Sequence, residues 1–250
     1  MNATVHLGCC GWSYLNEKEF AGQIKRKYTS KLQAYAQLFN TVEINSTFYR
    51  LPRLSTAQKW RQEADSVNPK FEFTVKAYQG ITHLHRFGGI SISLFDQLKE
   101  IGKALAASIL LFQSPASFRP TEAALKAMKS FLQKIDRSGL ICVWEPRGKW
   151  YDNPGLLAEV CEECGLVHCV DPFRNEPLVF GPSKTAYFRL HGFGKTSMYN
   201  YDFSEDELRR IASIVQSLQK SVRHIYVLFN NMTCYQNALE FWDLLSTQAR

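Results

Sequence analysis

Long apolar runs are missing from this chain of 250 residues. No stretch approaches the roughly 20 consecutive apolar residues that a membrane-spanning helix needs. The first residues also lack a basic segment followed by an apolar one, so no secretory signal is visible. These features favour a cytoplasmic protein.

Cysteine is sparse and irregularly spaced, with seven residues in all. An odd number without a regular framework argues against a small domain held by disulfides and fits a reducing compartment. Cys161 and Cys164 have CxxC spacing, but they lie in a helical pattern without a second CxxC, so we interpret them as ordinary helix cysteines. Cys9 and Cys10 end the first apolar run. One of them could border a site, and their role stays open.

Linkers, low-complexity tracts and internal repeats are also absent. The length suits one (β/α)₈ barrel and would also accommodate two small domains. Without a linker, the sequence predicts one domain over residues 1–250.

Acidic residues are outnumbered, with 30 Lys and Arg against 23 Asp and Glu and a net charge of +7. The excess is concentrated in residues 1–60, which include the basic run Lys25 to Lys27. Because that run is short, we interpret it as solvated surface. The alternative is a field that attracts phosphates or nucleic acid.

Eight short apolar runs alternate with helical patterns along the whole chain. The runs are residues 5–10, 42–45, 71–76, 109–113, 140–147, 166–171, 186–191 and 225–231. The helical patterns are 31–39, 55–64, 94–106, 121–135, 154–164, 204–218 and 237–245. Alternation of this kind predicts a parallel sheet, and eight strands predict a closed TIM-type barrel. Residues 172–184 are too short and too rich in proline for a full helix, so strands six and seven should be joined irregularly.

Reactive side chains collect at the carboxyl ends of these runs, whereas the amino ends carry mostly turn-forming residues. A barrel with its site at the carboxyl face should show this asymmetry. Spacing supports it, because side chains two apart on a strand share a face. Such pairs are Glu43 with Asn45, Glu145 with Arg147, and Arg189 with His191. We therefore expect one shared pocket.

Side chains that can exchange protons are the catalytic candidates. They are Glu43, Lys76, Glu145, Asp171 and His191. Groups suited to holding a substrate form a second set: Trp12, Asn45, His83, Gln113, Arg147, Arg189, Asn230 and Asn231. Because unpaired charges in a barrel mouth are costly, Arg147 should lie within ion-pair reach of Glu145, Glu43 or Asp171.

Three carboxylates and one imidazole among these candidates could hold a divalent metal ion. Three cations at the same strand ends compete for the carboxylates: Lys76, Arg147 and Arg189. We therefore predict no resident cofactor and an anionic ligand, with a divalent metal as the alternative.

Several motifs recur in a fixed order along nearly the whole chain. They are GWSY (11–14), VEINSTFYRLP (42–52), FEFTVKA (71–77), ITH (81–83), LFQSPASF (111–118), VWEPRGKW (143–150), YFRLHG (187–192) and LFNN (228–231). With them the chain resembles the YecE-like family, domain of unknown function family 72. The resemblance implies a TIM-type barrel and supplies no reaction. It also implies a set of site residues: Glu43, Asn45, Ser46, Thr47, Lys76, His83, Gln113, Glu145, Arg147, Asp171, Arg189, His191, Asn230 and Asn231.

Taken together, these features predict an enzyme that hydrolyses or isomerises a small polar, anionic substrate at the carboxyl face of the barrel. One alternative is a metal-dependent phosphodiesterase or nuclease-like hydrolase. Another is a non-enzymatic binder of nucleic acid or a nucleotide that uses Lys25 to Lys31 and aromatic side chains such as Tyr14 and Tyr49. Basic charge around the mouth would favour nucleic acid, and scattered basic charge would favour a small molecule.

Overall fold

A computed structural model describes residues 2–248 of the protein. Residues 1, 249 and 250, which the sequence places in the single predicted domain, lie outside the described residues. The strands are β1 (Thr4–Cys9), β2 (Thr41–Ile44), β3 (Glu72–Lys76), β4 (Ile109–Gln113), β5 (Ile141–Glu145), β6 (Val167–Val170), β7 (Thr185–Leu190) and β8 (His224–Phe229). The helices are α1 (Lys31–Leu38), α2 (Leu54–Asp65), α3 (Ser91–Ala104), α4 (Glu122–Lys134), α5 (Pro154–Glu163), α6 (Glu205–Leu218) and α7 (Cys234–Gln248).

All eight strands are parallel and follow one another around a closed barrel, in which β8 pairs with β1. The predicted TIM-type (β/α)₈ fold is confirmed. Short helical turns follow β2, β3 and β5 at Ser46–Phe48, Gly80–Leu84 and Gly148–Asp152. No helix within residues 2–248 is long and apolar enough to cross a bilayer.

The strands separate two apolar cores, as the alternation of side chains along a strand requires. Phe73 and Val75 of β3 belong to the outer core between strands and helices. Their neighbour Thr74 points into the barrel, where its hydroxyl lies 2.8 Å from that of Tyr187. The inner core is small: Ile109, Leu111, Val143, Val167, Cys169, Tyr187, Tyr226 and Leu228. The polar groups at the carboxyl ends lie above this apolar plug.

Helix starts agree closely with the sequence because capping side chains fix them. Ser30, Thr121 and Ser204 each accept a hydrogen bond from the first turn of α1, α4 and α6. Glu207 completes the capping box of α6. The helices α3 and α7 begin three residues earlier than the apolar pattern predicts, since a first turn can lack apolar residues.

No helix joins β6 to β7, which confirms the irregular connection predicted at residues 172–184. The missing helix leaves a groove of about 650 Å³ between this connection and α6. Phe180, Ile214 and Leu218 line it, together with Arg210. The groove lies on the outside of the barrel, and Pro172 and Phe173, which follow β6, line one end of it.

Side chains complete the seam between β1 and β2, where only Gly8 and Cys9 of β1 are paired in register. The Tyr35 hydroxyl accepts from the Cys9 amide at 2.7 Å and donates to the Thr41 carbonyl at 2.9 Å. The Asn40 amide bonds to the backbone of Val5 and Leu7. A β-carbon on Gly8 would lie 1.9 Å from the Thr41 carbonyl oxygen and 2.7 Å from the Tyr35 hydroxyl. The seam therefore requires glycine at position 8.

We expect Gly8→Ala to destabilise the barrel by about 1–3 kcal/mol or more, because the added methyl group forces β1 and β2 apart. Gly102→Ala is the matched control. Its β-carbon would meet nothing closer than 3.9 Å, and alanine favours the α3 helix by about 0.5–1 kcal/mol. Denaturant unfolding of both variants measures the difference. Equal stability of the two would contradict the close approach at Gly8.

Candidate functional site at the carboxyl face

Arg189 is the centre of the polar network at the carboxyl ends of the strands. It lies near the end of β7 and is fully buried, with an exposed fraction of 0%. Its Nε and Nη2 atoms donate to Glu43 Oε1 at 3.1 and 2.8 Å. Its Nη1 atom donates to Glu145 Oε2 at 2.6 Å. One guanidinium therefore joins carboxylates from β2 and β5 across the barrel interior.

Glu43 is held from a second side by a residue that sequence reasoning missed. The Tyr187 hydroxyl donates to Glu43 Oε2 at 2.9 Å and lies beside Thr74. Tyr187 is two residues before Arg189 on β7, so the same spacing rule would have placed it on the inner face. Both carboxylate oxygens of Glu43 therefore accept hydrogen bonds from Arg189 or Tyr187, three in all.

Glu145 has several partners as well. Gln113 Nε2 donates to it at 3.0 Å, and Arg147 forms a close ion pair with it. Burial opposes ionisation of this carboxyl, but Arg189 and then Arg147 outweigh burial and hold its pKa well below the usual range. The predicted ion pair of Arg147 with a neighbouring acid is thus confirmed for Glu145. The Arg147 side chain keeps 29% of its surface exposed.

His191 lies beside the same network and is oriented by Asp171. Its Nδ1 atom is 3.5 Å from Asp171 Oδ2, and its backbone amide donates to the same oxygen at 3.2 Å. Its Nε2 atom is 3.3 Å from Arg147 Nη2 and 3.4 Å from Arg189 Nη1. A proton on Nδ1 would leave the Nε2 lone pair as the acceptor for the two guanidinium groups, so this nitrogen can act as a general base only when one of those contacts is released.

Lys76 differs from the other cations because its amine has no hydrogen bond or ion pair within the described part of the chain. It ends β3 and is 8% exposed. Its Nζ atom lies 4.3 Å from the centre of the Phe48 ring. Burial and then the charge of Arg189 lower its pKa to about 8, although Glu43 and Glu145 act in the opposite direction.

The turn after β2 places the Phe48 ring against Lys76. The Thr47 hydroxyl lies 2.7 Å from the carbonyl oxygens of both Ile44 and Lys76, so it fastens this turn to the end of β3. The ring of His83 packs edge-on against the same Phe48 ring, with 4.9 Å between centres. His83, a predicted binding residue, therefore contacts the same Phe48 ring as Lys76.

Asn45 and Asn230 lie at the edge of the network. Asn45 Oδ1 accepts from Arg189 at 3.4 Å. Asn230 is half-buried and follows β8 at a position in phase with Leu228, which points inward. Its side chain has no hydrogen bond within residues 2–248. Asn230 therefore remains available to a ligand, whereas Asn45 also donates through Nδ2 to the Cys10 carbonyl at 3.4 Å.

Two predicted binding residues are not in the network. Trp12 packs edge-on against Trp60 of α2, because Gly11, at φ +126°, turns the chain after β1. The Asn231 amide donates to the Tyr201 carbonyl and to Asn237. Asn231 immediately follows Asn230, so only one of the two can point inward. Asn231 instead joins the loop before α6 to the first turn of α7.

The two cysteines that end the first apolar run point in opposite directions. Cys10 Sγ is 3.8 Å from Arg189 Nη2, whereas Cys9 lies in the outer core beside Tyr35. Burial and then Glu43 raise the pKa of Cys10. Cys10 is therefore a protonated thiol at the edge of the site, without the low pKa of a nucleophilic cysteine.

Within residues 2–248, no three His, Cys, Asp or Glu side chains form a group that could hold a metal ion. Two of the three carboxylates proposed as metal ligands, Glu43 and Glu145, are bonded to Arg189, and Asp171 accepts from the backbone of His191. A site of this kind offers cationic and amide groups to an incoming ligand.

Comparison with known proteins identifies a family. The family model described as "Protein of unknown function DUF72" matches residues 6–250. The UPF0759 protein YunF of Bacillus subtilis is 27% identical, over 91% of this chain and 88% of that protein. A crystal structure of a DUF72 family protein from Thermotoga maritima has a TM-score of 0.72 at 24% identity, covering 97% of this chain and 99% of that one. A D-tagatose 3-epimerase-like protein shares the fold at a TM-score of 0.61 and 11% identity, covering 98% and 100%.

We expect Arg189→Met to cost about 3–5 kcal/mol of unfolding free energy, because it leaves Glu43 and Glu145 buried without their cation. Arg147→Ala is the control at the same carboxylate. It should cost about 1 kcal/mol or less, since Arg147 is partly exposed and Glu145 keeps Arg189 and Gln113. Guanidinium chloride unfolding measures both. A loss for Arg189→Met no larger than that for Arg147→Ala would refute the central role of Arg189.

Proposed function

Since the chain belongs to the DUF72 family of proteins of unknown function, we propose that it is an enzyme that isomerises a small anionic substrate at the carboxyl mouth of its barrel. The reaction is a proton transfer between Lys76 and His191 through the substrate. Arg147 holds the anionic group. The single observation that carries this proposal is the placement of Lys76 and His191 on opposite sides of the mouth.

That placement follows from the order of the strands. Lys76 ends β3 and His191 follows β7, and these strands are four positions apart in a closed ring of eight. The two groups therefore face the mouth from opposite directions. A substrate between them can lose a proton to one and receive a proton from the other. This arrangement suits isomerisation better than hydrolysis, which needs an activated water or nucleophile.

The charges that remain available support an anionic substrate. Glu43 and Glu145 are bonded to Arg189, and Asp171 accepts from the backbone of His191 and Phe173. The groups left for a ligand are the Lys76 amine, the partly exposed guanidinium of Arg147 and the Asn230 amide. A carboxylate or phosphate could accept bidentate hydrogen bonds from the partly exposed guanidinium of Arg147.

Substrate binding and base activation are coupled in this proposal. The Nε2 atom of His191 lies 3.3 Å from Arg147 Nη2 and 3.4 Å from Arg189 Nη1. An anion that takes up Arg147 weakens one of these contacts and exposes the lone pair of His191. The base then becomes available only when substrate is present, and Asp171 keeps its ring oriented.

Nucleic-acid binding is less well supported, because the basic run is not beside the mouth. Arg26 donates to the Val67 carbonyl, which follows the carboxyl end of α2 and so lies toward the opposite face of the barrel. Lys31 is bonded to the carbonyls of Ser13 and Leu15. The basic residues are thus dispersed or already bonded, which favours a small ligand.

Solvent exchange tests the proton transfer without knowledge of the product. In D₂O, at least one member of a panel of sugar phosphates, hydroxy acids and keto acids should exchange a C–H proton in the presence of the enzyme. His191→Asn should slow this exchange by roughly 10²–10⁴-fold, because the general base is lost. NMR of the substrate measures the rate.

His85→Asn is the control for this experiment, since His85 is an exposed histidine of the loop after β3. It should exchange at the wild-type rate. Exchange that survives His191→Asn and Lys76→Met together would remove both residues from the reaction.

Anion binding tests the role of Arg147 separately. Phosphate or malonate should raise the melting temperature of the wild-type protein, because a ligand that binds only the folded state stabilises it. Arg147→Ala should abolish the rise, whereas Arg209→Ala, which removes an exposed arginine paired with Glu205 on α6, should retain it. An unchanged rise in Arg147→Ala would place the anion elsewhere.

A further inference from the structure

The amine of Lys76 is buried at the site but takes no part in the hydrogen-bond network around Arg189. Arg189 donates to two carboxylates, whereas Lys76, 8% exposed, has no hydrogen bond or ion pair within residues 2–248. We propose that Lys76 forms a Schiff base with the substrate, which makes the substrate an aldehyde or ketone that carries an anionic group. This inference rests on the proposed function, because it uses the same mouth and the same anion contact.

Neighbouring carboxylates form no hydrogen bond or ion pair with the Lys76 amine within residues 2–248. The oxygens of Glu43 accept from Arg189 and Tyr187, and those of Glu145 accept from Arg189, Gln113 and Arg147. The nearest fixed contact of Lys76 is instead the face of the Phe48 ring at 4.3 Å. That ring stabilises the charged form less than a hydrogen-bonded carboxylate would.

Burial and the fixed charge of Arg189 therefore prevail over Phe48, Glu43 and Glu145, and the pKa of Lys76 falls to about 8. A lysine beside another cation and away from water is the arrangement that gives a neutral, nucleophilic amine near neutral pH. The alternative nucleophile in the mouth, Cys10, is affected in the opposite sense, since burial raises its pKa and keeps it protonated.

The chemical step needs no oxidant or reductant. The lone pair of the neutral Lys76 nitrogen attacks the carbonyl carbon, the C=O π pair moves to oxygen, and a proton passes from nitrogen to that oxygen. A proton from solvent passes to the resulting hydroxyl, which leaves as water while the nitrogen lone pair forms the C=N bond of the protonated imine. The protonated imine then acidifies the adjacent C–H, whose proton His191 removes. Because the Lys76 nitrogen is by then part of the imine, His191 also returns a proton to the neighbouring carbon, and the role of Lys76 in the proton transfer is carried by the imine.

His83 is suited to carry the protons of the dehydration step. Burial and then the charge of Lys76 lower its pKa, so it is neutral at pH 7. Its Nδ1 atom lies 2.8 Å from the Thr82 hydroxyl, and its ring packs on the Phe48 ring that also contacts Lys76. A neutral imidazole at this place can accept a proton through one nitrogen and donate one through the other.

Reductive trapping tests the inference directly. The full-length protein is incubated with glyoxylate, pyruvate or dihydroxyacetone phosphate in the presence of sodium cyanoborohydride, and the adduct is located by peptide mass spectrometry. We expect one dominant adduct on Lys76 with at least one probe, at least tenfold above any other lysine. Neutral dihydroxyacetone should label it less, because it lacks the group that Arg147 holds.

The pH dependence adds an independent signature. Labelling of Lys76 should rise with pH up to about 8 and then level off, because the amine is neutral above its pKa. An ordinary lysine, with a pKa of about 10.4, continues to gain reactivity beyond that range. Lys76→Arg, which keeps the charge but cannot form an imine, should lose the adduct. Lys129→Arg, which changes a surface lysine paired with Glu163, should retain it.

The outcomes separate this inference from the proposed function. Labelling of Lys76 no greater than that of surface lysines, across all three probes and from pH 6 to 10, would overturn the Schiff base. If solvent exchange then still required Lys76, the lysine would act as an acid or base alone and the proposed function would stand. If exchange also failed across the panel, both proposals would fall.

Discussion

The buried guanidinium of Arg189 is the constraint on which the site depends. A charge with no exposed surface is tolerated only when opposite charges and hydrogen bonds surround it. Glu43 and Glu145 meet that requirement and in doing so connect β2, β5 and β7 across the top of the inner core. Tyr187 and Gln113 complete the bonding of the two carboxylates. The arrangement is rigid because every member already has its partners.

Because Glu43 and Glu145 are bonded to Arg189, other side chains of the mouth must provide the contacts to a ligand. The groups left facing a ligand are an amine, an imidazole, a partly exposed guanidinium and the Asn230 amide. Burial and then the charge of Arg189 lower the pKa of Lys76, so the buried cation that joins the strands also affects the protonation of its neighbour.

The strand ends were predictable because two simple rules locate them. Apolar runs separated by helical patterns define eight parallel strands, and side chains two apart share a face. These rules place Arg189 and His191, or Glu145 and Arg147, together without any coordinates. The two rules do not predict the directions of side chains beyond the strand ends, where the backbone turns. Gly11 turns Trp12 toward Trp60, and Asn231 is out of phase with Asn230 and fastens outer loops. Tyr187 obeys the spacing rule, since it lies two residues before Arg189 on β7.

The sequence alone determined the barrel, its carboxyl-face polarity and the residue types gathered there, because periodicity and charge are local properties that can be read from neighbouring positions. Only the tertiary structure decided which charges neutralise one another. Glu43 and Arg189 are 146 positions apart, and nothing local distinguishes a carboxylate that will bind a guanidinium from one that will bind a substrate. Closure of the barrel makes that choice, because it fixes which strand ends face each other. It bonds Glu43 and Glu145 to Arg189 and leaves the Lys76 amine without a hydrogen bond or ion pair among residues 2–248.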